Sequence, residues 1–159
     1  MTHPLSGALD QGTEAPKSLH EAAERGNVSY ITRTVERTLD LDINQVDNLQ
    51  RTALHWAAEM GHIQAAEALL DYGIKADAVE CNGRTAVHLA ARSCNPEMLQ
   101  VIFESVPSEK REALANQKDN SGITAVFLAM QKGDEGRETF QTLMRHGAKY
   151  GELSQPAHH

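Results

Sequence analysis

Thr52-Ala53-Leu54-His55-Trp56-Ala57-Ala58-Glu59-Met60-Gly61-His62 decides the fold, because the chain returns to it. At a spacing of 33 residues stands Thr85-Ala86-Val87-His88-Leu89-Ala90-Ala91-Arg92-Ser93, followed later by Thr124-Ala125-Val126-Phe127-Leu128-Ala129-Met130-Gln131-Lys132-Gly133. A degenerate copy, Ser18-Leu19-His20-Glu21-Ala22-Ala23-Glu24-Arg25-Gly26, lies upstream. The copies share a local logic: a hydroxyl residue able to cap a helix, then an alanine-rich run. Gly26, Gly61 and Gly133 stand where that helix must stop in a left-handed turn. Self-similarity at such a period marks a stack of small units, each unable to bury its apolar face alone.

The spacing and the Thr-x-x-His-x-Ala block resemble the ankyrin repeat, a β-turn followed by two antiparallel helices. The resemblance implies an all-α solenoid of four helix-turn-helix repeats with β-hairpin-like turns between them. It covers residues 17–150, with repeats at about 17–45, 46–78, 79–117 and 118–150. Residues 1–16 read as a flexible lead-in and 151–159 as a flexible tail. The tails and Met1 favour a free-standing protein.

Composition agrees with that reading. The 159 residues are 40% hydrophobic but only 4% aromatic, so Ala, Leu, Val, Ile and Met must form the core. A formal charge of -7 argues against nucleic-acid binding, which depends on neutralising phosphates. No apolar run approaches the ~20 residues that span a bilayer, and no signal peptide is legible. Two cysteines are too few for a disulfide framework. The expectation is a monomer in the cytoplasm, with the nucleus as a second compartment.

Departures from the repeat are informative. Asp47-Asn48-Leu49-Gln50-Arg51-Thr52 matches the family's D-x-x-G-x-T turn except that Gln50 replaces glycine, which predicts a strained tip. Second helices are expected over Val28–Arg37, Ile63–Tyr72 (Ile63, Ala66, Leu69 and Leu70 inward) and Pro96–Glu104. The step from Thr85 to Thr124 is 39 residues, so Val106 to Gln117 carries an insertion able to form an extra helical turn. Gly133-Asp134-Glu135-Gly136 stretches the last inter-helix turn.

The eight histidines raise the question of metal. Residues one repeat apart sit in adjacent layers about 10 Å apart, whereas zinc ligands converge to about 2 Å from one ion. The resemblance implies a structural role instead: His55 and His88 bond back to Thr52 and Thr85 and link neighbouring turns, while Phe127 breaks the pattern. Thr52, His55, Gly61, Thr85, His88, Thr124 and Gly133 are thus the repeat's structural residues. Cys81 and Cys94 lack C-x-x-C spacing and read as inert thiols. No phosphate-cradling loop, G-x-S-x-G or H-E-x-x-H motif is present. The expectation is no catalysis, no metal and no cofactor.

Function then falls to the surface the repeats do not need. In this family the concave face is built from hairpin tips and the outer side of each first helix. By repeat position it collects Asn48, Leu49, Arg51, Trp56, Glu59, Met60, Asn82, Arg84, Leu89, Arg92, Ser93, Ile123 and Lys132, with Glu24 and Arg25 at one end. Five basic residues (Arg25, Arg51, Arg84, Arg92, Lys132) against two acidic ones predict a partner protein of acidic or mixed charge. Trp56, Met60 and the arginines are hot-spot types. The resulting reading is an adaptor, stoichiometric inhibitor or assembly chaperone. The alternative is an ankyrin targeting domain that positions a separate catalytic or membrane part of a larger protein.

Overall fold

A computed structural model describes residues 14–150. The described chain forms helices α1 (Leu19–Arg25), α2 (Val28–Arg37), α3 (Ala53–Met60), α4 (Ile63–Asp71), α5 (Ala86–Arg92), α6 (Pro96–Glu104), α7 (Ser108–Ala115), α8 (Ala125–Met130) and α9 (Arg137–Arg145). A 3-10 turn, Gly133–Gly136, joins α8 to α9. The first helices α1, α3, α5 and α8 stack in one layer and the second helices α2, α4, α6 and α9 in another, an all-α solenoid. The expected lead-in before residue 14 and tail over 151–159 lie outside the described residues. At 14–16 the chain already packs: Pro16 is buried and Arg25 donates to the carbonyl of Glu14.

Local chemistry explains the boundaries. Ser18 caps α1 by accepting the Glu21 N–H at 3.1 Å, and Glu21 reaches back to the N–H of Lys17 at 2.9 Å. Asn95 accepts the Met98 N–H at 3.1 Å, with Pro96 in the first turn of α6. The core is made of alanines that let helices approach closely, with Leu54, Leu69, Leu99, Ile102, Phe103 and Leu143 filling the space between layers. Each buried aliphatic side chain of this size contributes about 1.5–3 kcal/mol.

Two details depart from the sequence reading, and a third agrees with it. Helix α4 stops at Asp71, with Tyr72 as its C-cap, and Ala65 is buried where Ile63 and Leu70 are only half-buried. The insertion is a full helix, α7, rather than a single turn. It buries Leu114 and Ala115 and puts Asn116 in position to bond Gly147 and Lys149 of the last repeat, at 2.9 and 2.8 Å. Gln50 adopts φ 64°, as its place in the turn predicts, and Cys94 replaces the inter-helix glycine at φ 56°.

Candidate functional site: the concave face

Each hairpin tip is organised by one acid. Asp47 Oδ1 accepts the N–H groups of Leu49 and Arg51 at 2.9 and 3.0 Å. Asp119 does the same for Ser121 and Ile123 at 2.8 and 2.9 Å, and Glu80 accepts the Asn82 N–H at 2.6 Å. The tips are then tied to one another. Cys81 N–H donates to the Leu49 carbonyl, and Asn120 N–H to the Asn82 carbonyl, both at 2.9 Å. The result is a row of fingers fixed before any partner arrives, which lowers the ordering cost of binding.

Histidines lock the fingers to the helices behind them. His20, His55 and His88 donate Nε2–H to the carbonyls of Arg51, Arg84 and Ile123 at 2.9, 3.0 and 3.0 Å, each preceding a capping threonine. A carbonyl only accepts, so Nε2 carries the proton. Nδ1 of His55 and His88 accordingly accepts the N–H of Thr52 and Thr85, at 3.0 and 3.1 Å. Burial pushes both rings below the usual histidine range, outweighing the carbonyl bonds that favour the charged form. With Phe127 in the equivalent place, the Thr124 hydroxyl is buried without a partner. His20, seen in the sequence only as part of a degenerate copy, makes the same link.

The expected basic surface is corrected by the structure. Arg51 is only 8% exposed: it lies over the Trp56 ring at 4.6 Å and pairs with Glu59 at 2.6 Å and Glu80 at 3.5 Å. Trp56 in turn donates its indole N–H to Asp47 at 2.8 Å. Arg84 pairs with Asp119 at 3.1 Å, and Arg92 shares Glu59 at 3.5 Å. The count of five bases against two acids omitted the turn acids Asp47, Glu80 and Asp119, of which Glu80 and Asp119 pair with Arg51 and Arg84. The acids themselves were legible, each four residues before a tip arginine or Ile123, but each ion pair reaches back to the arginine of the preceding tip. Burial raises the carboxyls of Asp47 and Asp119. Yet the hydrogen bonds each receives outweigh it, and both end below the usual range.

What the tips and first helices actually expose is apolar and amide in character. Leu49 is 46% and Met60 48% exposed, with Asn48, Asn82, Ser93 and Lys132 also at the surface. Ile123, Trp56, Glu59, Arg84 and Arg92 are half-buried, and Leu89, expected on this face, is fully buried. Among the described residues no group of three or more His, Cys, Asp or Glu could hold a metal ion. None of the described helices is long and apolar enough to cross a membrane.

Residues 19–112 match the family described as ankyrin repeats, three copies. Human B-cell lymphoma 3 protein is 31% identical over 93% of this chain and 33% of its own length. An ankyrin repeat domain-containing protein, SAT10, of Stachybotrys chartarum is 30% identical over 93% of this chain but 7% of its own length. The palmitoyltransferase AKR1 of Lachancea kluyveri is 28% identical over 76% of this chain and 16% of its own length. The chain therefore spans a third or less of these relatives. Ankyrin repeats are in general protein-interaction modules and typically non-catalytic. Helix pairs stacked in two layers, tip-to-helix histidine links and the match across most of the chain lead to one assignment: the chain belongs to the ankyrin-repeat family.

Proposed function

We propose that this chain binds a partner protein through its concave face and performs no chemistry of its own. The observation that carries this reading is the row of tips bonded to one another. It holds Leu49, Asn48 and Asn82 outward while Arg51 and Arg84 behind them are paired with internal carboxylates. A rigid surface with apolar and amide groups outward suits a partner of mixed charge better than a strongly acidic one. Its role is that of an adaptor, stoichiometric inhibitor or assembly chaperone.

A second reading has its own support. Because the chain spans 33% or less of the relatives above, it equally suits an ankyrin segment that positions another part of a larger protein. Binding through the concave face is common to both.

The test is affinity capture with the chain as bait, followed by direct titration of the captured protein. A Leu49→Ser/Met60→Ser variant, its fold checked by circular dichroism, is expected to weaken binding at least ~10-fold, the loss of ~1.4 kcal/mol. Undiminished affinity in the folded variant would remove the concave face as the site.

A further inference from the structure

The fourth repeat presents an outward face unlike those buried between earlier repeats. Where α1, α3 and α5 carry the buried alanines Ala23, Ala58 and Ala91, α8 carries Met130, 37% exposed. In the position of the linking histidines it carries Phe127, also exposed. On α9, Met144 is exposed in register with Leu70 and Phe103. Phe140 meets Tyr150 edge-on, ring centres 5.7 Å apart. With Met130 these rings line a groove of about 420 Å³ between α8, the 3-10 turn and α9. A terminal repeat needs a polar outer face to stay soluble alone, and a contiguous apolar one marks an interface.

The same residues make a fifth ankyrin repeat a poor occupant. Internal repeats stack by pressing the next first helix against an alanine with no exposed surface. Methionine there would overpack the junction, and Phe127 has no ring N–H for the next carbonyl. The rim carries both signs. Asp134 and Arg137, paired at 3.0 Å, are both well exposed, and Lys132 lies beside them. A partner of one sign would meet repulsion here. A twofold interface, in contrast, puts one patch against itself, so residue i meets j and j meets i. An apolar centre bordered by Asp134 next to Arg137 is complementary to its own copy, because the two charges can exchange partners across the axis.

We propose that a second copy of this chain covers this face, giving a tail-to-tail twofold dimer. The concave faces run along the sides of the two stacks and stay open. The dimer is therefore a bivalent binder, gaining avidity for any partner that presents two sites. This goes beyond the single-face binding argued above and stands on different residues.

Sedimentation velocity of the full chain from roughly 10 μM to 1 mM tests it. The wild type is expected to pass from monomer to dimer across that range. Met130→Ala, which installs the residue of the earlier repeats, should weaken the dimer at least tenfold. Arg137→Asp should abolish it, and Asp134→Arg/Arg137→Asp should restore it, since the swapped face is again self-complementary. Met60→Ser, on the concave face, should leave it unchanged. A monomer at every concentration would overturn the proposal and leave the face to another protein. So would a dimer that survives Arg137→Asp, or one lost in Met60→Ser with the fold intact by circular dichroism.

Discussion

His55 donates its Nε2 hydrogen to the carbonyl of Arg84, one repeat further on, at 3.0 Å, while its Nδ1 accepts the N–H of Thr52 at 3.0 Å. One buried ring thereby closes its own helix cap and fastens the next finger. Phenylalanine keeps the volume but neither bond. The Arg84 carbonyl retains the N–H of Glu80, whereas the Thr52 N–H loses its ring partner. His55→Phe is therefore expected to cost about 1–3 kcal/mol, the penalty of one buried donor left unpaired. Urea unfolding at neutral pH measures it, and an unchanged midpoint would mean water replaces the ring.

The same rings make stability depend on pH in a defined direction. His55 and His88 take a proton less readily in the fold than an unfolded histidine, which titrates near 6.5, so below that pH the unfolded chain binds more protons. Their contribution is complete above about 6.5 and is lost as pH falls toward the depressed folded values. Melting temperature should therefore drop on acidification from pH 7 to 5. The drop should shrink in a His55→Phe/His88→Phe variant. A slope equal to that of the wild type would assign the acid sensitivity elsewhere.

Arg51 was legible in the sequence as a surface residue, and this is where sequence reasoning fell short. Repeat position says that a residue lies at the base of a tip. It does not say that Glu59 and Glu80 converge on it from two repeats, because they are 8 and 29 residues away. The repeat pattern itself was readable because helix caps, alanine spacing and turn acids act locally. Burial of Leu89 and the exchange of charges between repeats come from stacking, which no single repeat encodes. Charge reversal at Arg51 would bury a carboxylate among two others, so Arg51→Glu is expected to cost roughly 3–5 kcal/mol. Leu49→Ser, at an exposed tip, should stay within about 0.5 kcal/mol. Paired denaturation curves decide the matter, and an Arg51→Glu protein of wild-type stability would return this residue to the binding surface.

Of the two glycines in the last inter-helix turn, the sequence singles out Gly133. Its φ of 61° suits glycine, but no atom stands within 4 Å of a Cβ placed there. At Gly136 a Cβ would overlap the backbone carbonyl of Ala129, which cannot move without unwinding α8. Gly133→Ala should cost about 1 kcal/mol, the backbone term alone. Gly136→Ala should cost ~3 kcal/mol or more, because backbone must shift. The reverse order would mean the turn has a second arrangement with room at 136.

Stability should also fall along the stack. Solenoid energies are sums of each repeat and its junctions, so a repeat with weak terms opens first. The last one has a six-residue α8, no histidine link, and buried hydroxyls of Thr124 and Thr139 without partners. Against this, α7 braces it through the Asn116 bonds to Gly147 and Lys149 and the Glu112–Lys149 pair at 2.8 Å. The two Asn116 bonds contribute about 0.5–1.5 kcal/mol each, and an exposed ion pair at most about 1 kcal/mol. Each unpaired buried hydroxyl costs about 1–3 kcal/mol, so these roughly offset, and the missing histidine link and short α8 decide the order. Amides of α8 and α9 are expected to exchange at least ~10-fold faster than those of α3 and α4, a gap of ~1.4 kcal/mol in opening energy. Equal protection across the four repeats would show that α7 compensates fully and that the solenoid opens as one unit.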